Sequence, residues 1–142
     1  MHYLIFLKTH LFGVDHAPVI GAAILQWVIG AIWYGLIFAK PWASMVKPKE
    51  GQKALGQAVA MLACLIANFV LCFVLVHILN AASSGSLKRG LLIGFACWLG
   101  IVAPPLYVQH FYEGRPFRLF AISAGYWLVA MVSASWMLVR WQ

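Results

Sequence analysis

Four stretches of this chain contain no Asp, Glu, Lys or Arg: residues 16–39, 54–87, 90–112 and 119–139. Each can supply the roughly 20 residues that an α-helix needs to cross a bilayer. Inside hydrocarbon every backbone N–H and C=O must be paired within the protein, so a spanning segment is a helix or part of a closed barrel. Barrel strands show about ten residues of alternating polarity. That alternation is absent, and the segments read as helices. The cluster Asn80-Ala-Ala-Ser-Ser-Gly-Ser86 is a turn signal that ends the second helix near Leu79. The expected spans are 17–39, 57–79, 88–109 and 118–139, with connections at Lys40–Gly56, Asn80–Leu87 and His110–Phe117. The expected fold is all-α: an integral membrane four-helix transmembrane bundle with short loops, a single domain over 1–142.

Composition agrees with a lipid-facing surface. Of 142 residues, 64% are hydrophobic and 9% charged, whereas a soluble domain carries about a quarter charged residues. The net charge of +7 arises from ten Lys and Arg against three acids, all outside or at the edges of the apolar runs. These cations do not collect along a helix face, so a nucleic-acid partner is not expected. Contact with anionic headgroups of the bilayer accounts for them better. Cys64, Cys72 and Cys97 fall inside apolar runs with no CxxC spacing and read as small hydrophobes. In the first sixteen residues, the apolar run Tyr3–Leu7 is too short for a signal peptide. That segment is expected to lie at the interface.

Four crossings place both termini and the middle connection on one side, face A, and the other connections on face B. Face A carries Lys8, Lys88, Arg89 and Arg140, while face B carries Lys40, Lys47, Lys49, Lys53, Arg115 and Arg118. The basic excess predicts a cytoplasmic face B. Spans one and three run in the same direction, but the likeness of Trp27-Val-Ile-Gly30 to Trp98-Leu-Gly100 does not rise above composition.

Helices in lipid associate through small residues and interhelical hydrogen bonds. Each span carries a stripe of such residues at helical spacing: Ala22, Gln26, Gly30 and Trp33; Ala60, Cys64, Asn68 and Cys72; Gly90, Gly94 and Trp98; Ser123, Tyr126, Ala130 and Ser133. The stripes should line the bundle interior or a subunit contact. Gln26 and Asn68 are the deepest polar groups, expected to join helices or, alternatively, to touch a bound molecule. Pro104-Pro105 should free the carbonyls of Gly100 and Ile101 and kink the third span.

Reactive constellations are sparse. His77 ends the second span at face A and His110 the third at face B, so they cannot share one metal. His2, His10, His16 and His77 lie towards face A with Asp15, but no ligand spacing ties them together. No metal site and no cofactor is expected. The spans hold no Asp or Glu, which leaves no intramembrane carboxylate for proton coupling. A face B cluster remains: Trp33 and Tyr34, then Trp42, then His110, Tyr112, Glu113 and Arg115, with Tyr126 on the polar stripe of the last span. An aromatic belt and a turn-fixing ion pair are the plain readings of most of these residues.

Gly30-Ala-Ile-Trp-Tyr34, Phe38-Ala-Lys-Pro-Trp42, Gly94-Phe-Ala-Cys-Trp-Leu-Gly100, Phe111-Tyr-Glu-Gly-Arg-Pro116 and Gly125-Tyr-Trp127 together resemble the domain of unknown function 1761 family. The resemblance implies a small bacterial protein of four spans, hence a multi-pass protein of the inner membrane, and implies no activity. Pro104-Pro105 and the first sixteen residues are not part of that pattern. The leading expectation is a non-enzymatic homo-oligomer, or an accessory subunit, that binds or passes a small molecule or lipid. Its candidate ligand residues are Trp33, Tyr34, Asn68, His110, Glu113, Arg115 and Tyr126. The alternative is a membrane-embedded enzyme using His110, Glu113, Arg115 and Tyr126 on a lipophilic substrate.

Overall fold

The computed structural model of the chain describes residues 14–46, 54–82 and 85–141. His2, His10, Lys8, Lys47, Lys49 and Lys53 lie outside them, as does the expected interfacial segment up to residue 13. Six α-helices and two π-helical turns make up the described chain: α1 (His16–Ile32), a π turn (Trp33–Ile37), α2 (Ala39–Met45), α3 (Ala54–Ala82), α4 (Leu87–Cys97), a second π turn (Trp98–Val102), α5 (Ala103–Tyr112) and α6 (Phe117–Trp141). Four stretches are long and apolar enough to cross a membrane: His16–Ile37, Ala58–Ala82, Leu87–Tyr112 and Phe117–Trp141. The expected all-α membrane bundle is the fold observed.

Local chemistry sets the helix ends. Asp15 caps α1, its side chain accepting from the Ala17 N–H at 3.1 Å, and Pro18 occupies the first turn, where a missing donor costs nothing. Gly114 closes α5 with a φ of 62°, a left-handed conformation that favours glycine. The Arg115 N–H reaches back to the His110 carbonyl at 3.0 Å and the Gly114 N–H to that of Phe111 at 3.2 Å, which terminates the helix in a Schellman turn. Pro116 follows and prevents continuation.

Three boundaries differ from expectation. The second spanning helix runs past Leu79 to Ala82, because Asn80-Ala-Ala is compatible with a helix and the left-handed Gly85, at φ 75°, comes only later. The Lys40–Gly56 connection contains a short helix, α2. The third span is interrupted before the proline pair rather than at it. Its π turn is closed by the Ala103 N–H donating to the Trp98 carbonyl, and Pro104 and Pro105 then fall in the first turn of α5. Because the residues before them are helical as well, the missing proline N–H groups leave carbonyls of the preceding turn without those donors, as the sequence predicts.

The first π turn is closed in the same way, by the Phe38 N–H on the Trp33 carbonyl at 2.8 Å. Each π turn begins at a tryptophan bound to α6: the Trp33 indole N–H donates to the Ile122 carbonyl at 3.0 Å and that of Trp98 to Ala124 at 2.9 Å. The correspondence between spans one and three is thus Trp33-Tyr-Gly35 with Trp98-Leu-Gly100, not the Trp27 segment.

Helix α6 is the axis of the bundle, packing on α1 and α4 and on α5, while α1 also packs on α3. The apolar core lies towards face A. There Val19, Ala22 and Ala23 of α1 meet Cys72, Leu75, Val76 and Leu79 of α3 and Met131, Ala134 and Leu138 of α6. Gly94 lets α4 approach α6 so closely that a Cβ there would meet the Ser135 side chain and, at 3.1 Å, the Met131 carbonyl.

Candidate functional site

Towards face B the same helices do not close. Between α1, α3 and α6 lies a cleft of about 510 Å³. Trp27, Gly30, Ala31 and Tyr34 form one wall, Ala60, Met61, Cys64, Ala67 and Asn68 the second, and Tyr126 and Trp127 the third. On its α3 side Ala60, Met61, Cys64 and Ala67 are exposed, so the cleft opens sideways, where lipid would stand.

The polar groups sit at its inner end. Asn68 is 4% and Tyr126 7% exposed, and both line the cleft. The Tyr126 hydroxyl donates to the Gln26 backbone carbonyl at 3.3 Å. The Tyr34 ring stands 5.3 Å from that of Tyr126. Trp42 of α2 meets Tyr34 edge-on at 5.7 Å from the face B side. Gly30 permits this arrangement, since a Cβ there would lie 3.3 Å from the Tyr126 ring. All these groups are uncharged, but an amide and two phenols can still hydrogen-bond a ligand in an otherwise apolar site.

Tyr34, Asn68 and Tyr126 are therefore brought together, although they come from three different spans. The remaining candidates lie elsewhere. The Trp33 ring packs on Phe38 at 4.9 Å and over Gly125. His110 is buried against Phe120. Its Nδ1–H donates to the Leu106 carbonyl at 2.8 Å, and its Nε2 has no partner among the described residues. Glu113 and Arg115 pair with each other at the α5–α6 turn, and Gln109 donates to Glu113 at 3.1 Å. The set assigned to the enzymatic alternative is divided: Tyr126 faces α1 and α3, whereas His110, Glu113 and Arg115 belong to α5 and its turn.

Gln26, expected to join helices or, alternatively, to touch a bound molecule, is fully buried and donates from Nε2 to the Ala130 carbonyl at 3.2 Å; its Oε1 has no partner among the described residues. Trp27 and Trp127 were not singled out for the cleft; their only signal was aromatic character beside the polar stripes. His16 and His77 flank Phe73 at face A. Among the described residues no three His, Cys, Asp or Glu side chains gather as a metal site would require.

Four apolar helices of spanning length, with apolar side chains exposed along their outer faces, define a multi-pass helical membrane protein in contact with the bilayer. The chain belongs to the family described as protein of unknown function (DUF1761), whose model matches residues 17–139. No curated protein and no solved structure matches it.

Proposed function

We propose that this protein binds a lipophilic small molecule or lipid in the cleft between α1, α3 and α6, without chemistry, as a homo-oligomer of a bacterial inner membrane. The observation that carries the reading is the convergence of Tyr34, Asn68 and Tyr126 at the inner end of an apolar cleft of about 510 Å³. Ligand sites have this character: roughly 300–1,000 Å³, apolar walls and a few placed polar groups. A buried amide in hydrocarbon otherwise serves helix packing, but Asn68 also lines open space. Oligomerisation is inferred from the exposed row Val59, Leu62, Ile66, Val70 and Val74 of α3, which offers a second helix face. Face B is assigned to the cytoplasm on its basic excess.

The test is native mass spectrometry of protein extracted in mild detergent. Wild type should retain a discrete co-purifying mass, and Ala60→Trp, which fills the exposed mouth of the cleft, should lose it while keeping its thermal stability. Equal retention by both proteins would sink the proposal. The same spectra report the oligomer, and a monomer at all concentrations would remove that part of the reading. A cysteine at Lys49 labelled from outside intact cells would reverse the assigned orientation.

A further inference from the structure

Resting on the cleft as a ligand site, we propose that its occupant is a neutral amphiphile with a flat, oxygen-bearing ring head, of the quinone or quinol class. The ring enters sideways from the face B half of the bilayer and its tail remains in the lipid.

Charge excludes the commonest alternative. Among the described residues the cleft lining holds no Lys or Arg, and a phosphate drawn in among these side chains would be desolvated without a charge to pair it. A neutral head meets no such penalty. The walls select for shape: Trp27, Tyr34, Tyr126 and Trp127 bring four aromatic rings to one space, and rings of this kind favour offset or edge contact with another ring. Opposite them the α3 wall is made of small side chains with Met61, which leaves room for a flat body. Asn68 then supplies the head-group contact. Its amide, 4% exposed and on the cleft wall, can donate to a quinone carbonyl or accept from a quinol hydroxyl. The site therefore binds both forms, and no electron transfer is involved.

Cys64 provides an internal reporter, being exposed on the cleft wall while Cys72 is buried. Full-length protein carrying Cys97→Ala is reconstituted in phosphatidylcholine vesicles, and a membrane-permeant maleimide labels Cys64. Three probes are compared: a fully ring-substituted decyl benzoquinone, which has no free ring position for thiol addition, a diacylglycerol, and phosphatidylglycerol. The benzoquinone should slow labelling by about tenfold or more, and Asn68→Leu should reduce that protection about tenfold, the size of one hydrogen bond to a desolvated group. Should that variant not fold, Trp27→Leu, at a half-buried wall position, should weaken protection as well. Equal protection by diacylglycerol and benzoquinone overturns the ring class but leaves a lipid-binding cleft. Protection by phosphatidylglycerol alone overturns neutrality. Protection by none of the three overturns both the ligand class and the cleft reading. Benzoquinone protection unaltered in both variants overturns the placement of the ring.

Discussion

The face A and face B halves of the bundle are built from the same helices and the same kinds of residue, yet one is closed and the other open. At face A, Leu75, Val76 and Leu79 of α3 are at most 2% exposed. At face B, Ala60, Cys64 and Ala67, on the cleft side of that helix, are exposed. Hydrophobicity does not explain the difference, because a side chain surrounded by lipid is as apolar in its contacts as one surrounded by protein. Fit does. The closed half interleaves Ala22, Ala23 and Ala134 with larger side chains. In the open half Trp27, Tyr126 and Trp127 stand between the helices, and small Ala60, Cys64 and Ala67 face them without reaching them. A bundle in lipid can therefore keep a cleft at little cost, provided that its other half is well packed.

Substitutions can break or sharpen this contrast. The largest effect is expected for Gly94→Leu in the closed half, where the Met131 backbone carbonyl stands too close to yield. Overpacking there should cost about 3 kcal/mol, read as lost thermal stability in detergent; wild-type stability would refute the close packing of α4 on α6. Next, Leu79→Ala should cost about 2 kcal/mol, the cavity part of a core truncation, while Met61→Ala on the cleft wall, at a position 50% exposed, should change stability by less than about 0.5 kcal/mol. Equal losses at the two positions would erase the distinction between the halves. Trp33→Phe and Trp98→Phe each remove one indole bond to α6. Each should cost about 0.6 kcal/mol, as interhelical hydrogen bonds in membranes do, and no change in chemical denaturation would argue against these ties. The smallest effect is expected for Arg115→Ala. Its pair with Glu113 is 45% and 38% exposed, so the loss should stay under about 1 kcal/mol, yet exceed that of Lys88→Ala. A larger loss would mean that the α5–α6 turn, not the face A core, anchors the bundle.

How much could be read in advance depends on the range of each signal. The spans were legible because Lys, Arg, Asp and Glu are costly within hydrocarbon and therefore mark its edges. The α5–α6 turn was legible from Glu113-Gly-Arg-Pro116, whose glycine and proline act locally. The π turns were not, since Trp33-Tyr-Gly35 and Trp98-Leu-Gly100 read like any other apolar helical segment. What holds the two tryptophans is a pair of carbonyls on α6, about 90 and 26 residues away in the chain. For the candidate site, Asn68 and Tyr126 could be found as polar residues in apolar stripes. Nothing in their spacing distinguished the closed part of the α3 stripe, Cys72, from its open part, Ala60 and Cys64.

The sequence by itself determined that this chain lives in a bilayer, crosses it four times as helices and turns where glycine, proline and charge permit. Those outcomes depend on solvation and on backbone hydrogen bonding within a few residues. Tertiary structure alone decided that α6 is the axis, that spans one and three each open a π turn beside it, and that Tyr34, Asn68 and Tyr126 meet in a cleft. These depend on which side chains from distant helices fill or fail to fill the same space, and packing of that kind has no local signature in the chain.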